Sequence, residues 1–149
     1  MAGDGLRLWF EKDDDGTGEL HANVRSQGFS GQGSAWFGEE RLERFASALA
    51  AFPLTEEART GIAGGYWKDG RVEQVHVAIS AYQIDQAGHI GVRVRVATTV
   101  GPFDRPLSQH MTEAELQTTY HELELFSRQL REHLAGERED AVLRADTRT

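Results

Sequence analysis

Residues 71–100, RVEQVHVAISAYQIDQAGHIGVRVRVATTV, constrain the fold more than any other stretch of this chain. In the first half Val75, Val77, Ile79 and Ala81 alternate with His76, Ala78, Ser80 and Tyr82. In the second, Ile90, Val92, Val94 and Val96 alternate with Gly91, Arg93 and Arg95. Period-two alternation of this length marks half-buried strands. A connection at residues 85–88 sets Ala81 opposite Val92, Ile79 opposite Val94 and Val77 opposite Val96, so both aliphatic rows share a face. A two-residue turn at Gln86-Ala87 gives the same pairing, but Gly88 takes a positive φ at no steric cost and Gln-Ala does not, which favours the four-residue turn. A slip of one residue would turn the aliphatic rows to water, so the register is strongly specified.

The opposite face carries the candidate binding residues Arg93, Arg95, Tyr82, His76 and Ser80. Tyr82 falls across from Gly91, where a ring can cover bare backbone, and Arg93 faces Ser80. One reading is a solvated outer face with aromatic cover. The other is a contact surface, because Arg and Tyr are the residues that anchor interfaces.

Toward the N-terminus, Leu6, Leu8 and Phe10 alternate with Arg7, Trp9 and Glu11, and Leu20, Ala22 and Val24 alternate with His21, Asn23 and Arg25. Strands at residues 6–12 and 19–27, joined by the polar turn DDDGTG, are predicted to form a hairpin. Glu11, Asp13, Asp15 and Gly16 match early positions of a calcium-binding loop, but Ala22 stands where the bidentate Glu belongs and no helices flank it. The segment GFSGQGSAWFG lacks the phosphate-loop spacing and its Lys, and reads as a turn or bulge leading into a short strand at residues 33–37. EERLERFASALAAF opens a helix with two acids in its first turn and Pro53 beyond its end. Leu42, Phe45, Ala46, Leu49 and Phe52 form its core stripe.

Residues 60–67 read as a short glycine-broken strand, with a bulge at Gly64-Gly65 and a turn at residues 68–70. Residues 105–116 are ambiguous. His110, Thr112, Ala114 and Leu116 alternate as a strand would, while Thr112 and Glu115 resemble a capping box; a strand to about Leu116 is preferred. Thr119 and Glu122 form a second capping box before Leu123, Phe126, Leu130 and Leu134, predicting a helix over 119–135 ended by Gly136. From about residue 137 the tail is polar, with helical character expected near Val142-Leu143 and fraying after it.

At 149 residues the chain is long enough for one self-sufficient domain. It has no cysteine, which removes thiol chemistry and cysteine-ligated metal sites and suits an intracellular, cytoplasmic address. No apolar run approaches the roughly 18 residues of a membrane span, and the start has no signal-peptide pattern. A formal charge of −8 with two lysines argues against nucleic acid and favours a basic partner. No nucleophile elbow, phosphate loop or H-E-x-x-H motif is present, so no catalytic residue is assigned. His110, His121 and His133 with Glu122 are expected at the surface rather than around an ion, since twelve residues of helix separate His121 from His133. Neither the histidines nor the Asp13-Asp14-Asp15 turn offers a complete ligand set, so no metal and no cofactor is expected.

Three stretches, GFSGQGSAWFG with the helix LERFASALAAFPL, GHIGVRVRVATT, and TTYHELELFSRQLREHL, cover most of residues 28–136. In them the chain resembles small bacterial proteins of the WapI-like immunity group. The resemblance implies an α+β fold, no catalytic residues, and the binding and neutralisation of a toxin made by the same or neighbouring cells. The fold expected overall is one α+β domain: a twisted, mostly antiparallel sheet of about six strands with two helices on its aliphatic face. The function expected is non-enzymatic protein binding of the immunity type, with a basic toxin as partner. The alternative is a small-ligand-binding protein or an enzyme using a cleft near Trp36, Trp67, Tyr66 and His76.

Overall fold

The central hairpin forms in the register its alternation dictates. In the computed structural model, which describes residues 3–54 and 60–145, β5 (Arg71–Gln83) and β6 (His89–Ala97) pair antiparallel. Val77 lies opposite Val96, Ile79 opposite Val94, Ala81 opposite Val92 and Tyr82 opposite Gly91. The Ile84 N–H donates to the His89 carbonyl at 2.8 Å, closing a four-residue turn in which Gly88 has φ 89°.

Around it the chain runs β1 (Gly5–Lys12), β2 (Thr17–Ser26), β3 (Phe29–Gly38), α1 (Glu39–Ala48), β4 (Thr60–Lys68), β5, β6, a 3-10 turn (Pro106–Ser108), β7 (Met111–Thr119), α2 (Tyr120–Leu134) and β8 (Ala141–Arg144). The strands form two four-stranded antiparallel sheets, in the orders β3-β2-β1-β8 and β4-β5-β6-β7. This corrects the expectation of one sheet of about six strands. The α+β class and the antiparallel pairing are as expected.

Two segments depart from expectation for identifiable causes. The segment at residues 29–38 is one ten-residue strand rather than a turn feeding a short one, because Gln27 and Gly28, with φ 51° and 85°, make a tight turn directly after β2. The polar tail contributes β8 in place of a helix. Ala141 and Leu143 are fully buried, and the edge of β1 accepts the strand, pairing Gly5 with Arg144 and Leu8 with Ala141. Residues 146–149, where fraying was expected, lie outside the described residues. Helix α1 ends at Ala48, short of Phe52, which is 77% exposed and so leaves the core stripe; Leu42, Phe45, Ala46 and Leu49 remain in it.

The sheets cross at a steep angle, as their corner contacts show. Ser30, Arg25, Gly5 and Arg144 form one transverse row across the first sheet. Strand β7 reaches both ends of that row: the Thr112 hydroxyl donates to the Ser30 carbonyl and the Thr118 hydroxyl to the Arg144 carbonyl. In the same way β3 runs over the row Gly64, Val77, Val96, Thr112 of the second sheet. A Cβ on Gly31 would meet Thr112 Oγ1 at 2.5 Å, one on Gly33 the His76 carbonyl oxygen at 2.7 Å, and one on Gly64 the Phe37 ring at 2.6 Å. These three glycines let the sheets approach closely where they cross, with Gly33 against main chain and Gly31 and Gly64 against side chains of the other sheet.

Between the diverging parts of the sheets lie the helices. Leu42 and Phe45 of α1 and Leu123, Phe126 and Leu130 of α2 join the aliphatic rows of both sheets in one continuous core. The buried Ser127 hydroxyl donates to the Ala46 carbonyl at 2.6 Å, joining the helices. Helix α2 starts where its capping box predicts, with Thr119 Oγ1 accepting from the Glu122 N–H at 3.2 Å, and Gly136 follows its end at φ 81°.

Candidate functional site

The outer face of the second sheet carries an open depression of about 480 Å³. Its floor is built from small residues on adjacent strands: Gly61 pairs with Ser80 and Ala63 with Ala78. Without long side chains there, the face is concave. Arg93 and Arg95, two apart on β6, stand to one side, and Arg41 of α1 reaches the other.

The three guanidiniums are not equivalent. Arg93 donates to Glu113 at 3.0 Å, and that carboxylate keeps it even more firmly protonated than an ordinary arginine. Arg95 lies opposite Glu113 in register, yet its Nε–H points to Met111 Sδ at 3.0 Å; Arg41 lies over the Phe37 and Trp67 rings, at 5.3 and 5.8 Å. Among the described residues neither Arg95 nor Arg41 has a carboxylate partner. Two unpaired cations around one depression, in a chain of net charge −8, make a local positive site on an acidic molecule.

Of the five binding residues read from the sequence, the structure brings Ser80, Arg93 and Arg95 to this depression. Tyr82 lies on the same face but is 8% exposed: its ring covers Gly91 and its hydroxyl donates to Glu115. It holds β5, β6 and β7 together. His76 leaves the face altogether. Where Gly64 and Gly65 of β4 pair with Val77 and Val75, the extra residue of the bulge lies on β5, so His76 turns inward beside Val77 and is 2% exposed, while Val75 lines the depression in its place. Strict alternation concealed that inversion, though Gly64-Gly65 signals it. Arg41 was not found from the sequence, because its proximity to β4 arises only on folding.

His76 is structural. Its Nε2 lies 2.5 Å from Gln74 Oε1, its ring meets Tyr66 edge-on at 4.7 Å, and Gln74 accepts from the Val100 N–H and donates to the Val100 carbonyl. Burial pushes its pKa below the usual histidine value. Of the other aromatic residues named for a cleft, Trp67 flanks Arg41, whereas Trp36 lies on the outer face of the first sheet, with Nε1 donating to Thr17 Oγ1 at 3.1 Å. His133, expected at the surface, is half-buried: Nε2 accepts from the Phe10 N–H at 2.8 Å and Nδ1 lies 2.8 Å from the Arg138 carbonyl.

A group with metal-ligand chemistry does assemble, on the first sheet. Glu11 and Glu19 are cross-strand partners, and His21 follows Glu19 on the same face of β2.

No family model, curated protein or solved structure matches this chain. The geometry above is therefore the ground for any functional reading. No helix among the described residues is long and apolar enough to cross a membrane.

Proposed function

We propose that this chain is a non-enzymatic protein-binding domain of the immunity-inhibitor type, and that its contact face is the outer surface of the second sheet around Arg95, Arg93 and Ser80. The observation that carries the proposal is the pair of guanidiniums, Arg95 and Arg41, that have no carboxylate partner among the described residues, at the rim of a depression floored by Gly61, Ala63, Ala78 and Ser80. A guanidinium offers a planar fork of donors that matches a carboxylate, and a depression this open suits a side chain presented by a partner surface. The partner is accordingly a protein that seats an Asp or Glu here, while the overall charge of −8 steers it in by its basic surroundings.

The experiment is a pull-down from the native host with wild type, Arg95→Ala and Arg93→Ala, each shown to melt at the same temperature. A partner held by wild type should be lost or much reduced with Arg95→Ala, and less affected by Arg93→Ala, whose side chain is already engaged by Glu113. Equal retention by all three would leave a merely solvated face. An immunity role further requires a toxin reading frame beside this gene, and its absence there would remove the toxin from the proposal.

A further inference from the structure

The outer face of the first sheet holds three potential ligands in a nearly complete coordination sphere. Register places Glu11 directly opposite Glu19 on neighbouring antiparallel strands. Two like charges so placed repel each other across a few ångströms, an arrangement that costs stability unless a cation lies between them. His21 projects from the same face, with Nε2 3.2 Å from Glu11 Oε1 and 3.5 Å from Glu19 Oε1. That nitrogen is buried and makes no hydrogen bond, the one such side-chain atom found among the described residues. It faces both carboxylates without the alignment a proton between them would require.

We propose that Glu11, Glu19 and His21 bind a first-row divalent cation, with zinc as the fitting probe. A zinc ion holds carboxylate oxygen and imidazole nitrogen at about 2.1 Å, and a tetrahedron of that size has edges of about 3.4 Å. The two nitrogen–oxygen separations, 3.2 and 3.5 Å, bracket that edge, and all three ligand atoms lie within 4.8 Å of one another. The cation needs only slight inward movement of the exposed Glu11 carboxylate. An imidazole with two carboxylates favours a borderline metal over calcium or magnesium, which take oxygen ligands alone.

The surroundings fix the ligands as a built site does. Ser34 Oγ donates to Glu19 Oε2 at 2.6 Å, leaving Oε1 turned toward His21. The Trp9 ring stacks on His21 at 5.0 Å and 3°, and the Arg7 guanidinium lies over the far side of Trp9 at 4.3 Å. Neighbours of this kind hold metal-binding side chains in place before the ion arrives. Three protein ligands leave the fourth position of a tetrahedral ion open for water or a further ligand, and His21 and Ser34 also border an open depression with Gln32, Thr98 and Thr99.

The test is titration calorimetry of chelator-treated full-length protein with zinc chloride at pH 7.5, repeated for Glu11→Gln, Glu19→Gln, His21→Ala and, as a control, His110→Ala, with folding of each checked by circular dichroism. One zinc per chain is expected, with at least a tenfold loss of affinity in each of the first three variants and no change in His110→Ala. Trp9 supplies a second readout: its fluorescence should change on adding zinc to wild type and stay constant in His21→Ala. Absence of zinc binding by wild type, or binding of equal strength in Glu11→Gln and Glu19→Gln, would overturn the proposal and leave His21 as an imidazole beside two exposed carboxylates.

Discussion

At the scale of single residues, several glycines sit where a side chain has no room. The missing side chain of Gly33 would collide with a main-chain carbonyl that cannot move without shifting β5, whereas a Cβ on Gly38 meets nothing within 4 Å. Gly33→Ala should therefore cost about 1–3 kcal/mol or more, as overpacked cores do, and Gly38→Ala should leave the denaturation midpoint nearly unchanged. Equal midpoints would contradict the close crossing of the sheets. His76 supplies a second test. Burial lowers its pKa in the folded chain below the value near 6.5 that it has when unfolded, so between those two values the unfolded state binds more protons. Its contribution to stability is complete above about pH 6.5 and declines as pH falls through the window beneath. Denaturation midpoints at pH 7.5 and 5.5 should differ more for wild type than for His76→Phe, and an identical difference would show that the imidazole titrates freely. Neither residue's role was legible from alternation alone: Gly33 read as the start of a short strand and His76 as an outward residue, because the close approach at Gly33 depends on a second sheet and the turning of His76 on a bulge against β4.

At the scale of elements, the sequence is most legible where a long pattern repeats. The central hairpin, the first hairpin and the start of α2 all follow from alternation or capping chemistry, and the irregular pairing of β4 with β5 was signalled by Gly64-Gly65. Ile79 and Val94 face each other in the buried row, and Ile79→Ala or Val94→Ala should each cost about 2–4 kcal/mol, read as a shift in denaturant midpoint. Midpoints unchanged in both would contradict the register. Thr119→Ala removes the hydroxyl that accepts from Glu122 and should cost about 1 kcal/mol. Strand β8 was illegible for a plain reason: a four-residue strand whose apolar residues are three in a row gives no period to detect, and its pairing with β1 spans almost the whole chain. The Glu11, Glu19 and His21 group lay closer to hand, since continuing the first hairpin's pairing outward from its turn sets the two acids opposite each other.

At the scale of the whole molecule, aliphatic alternation told which faces are buried but not that they belong to two sheets. One packed face looks the same in sequence whether a helix or another sheet covers it. The proposed contact face was legible in part: Ser80, Arg93 and Arg95 come from one hairpin and share a face by register, while Arg41 arrives from α1 and Gly61 and Ala63 of the floor from β4. Whether the guanidiniums around this depression meet a partner can be measured. Calorimetric titration of the captured partner into wild type, Arg95→Ala and Trp36→Ala, the last altering the opposite side of the molecule, compares the two outer faces directly. Arg95→Ala should weaken binding by roughly 2 kcal/mol, about thirtyfold, with Trp36→Ala close to wild type; full affinity in Arg95→Ala together with a large loss in Trp36→Ala would place the contact on the first sheet and contradict the account.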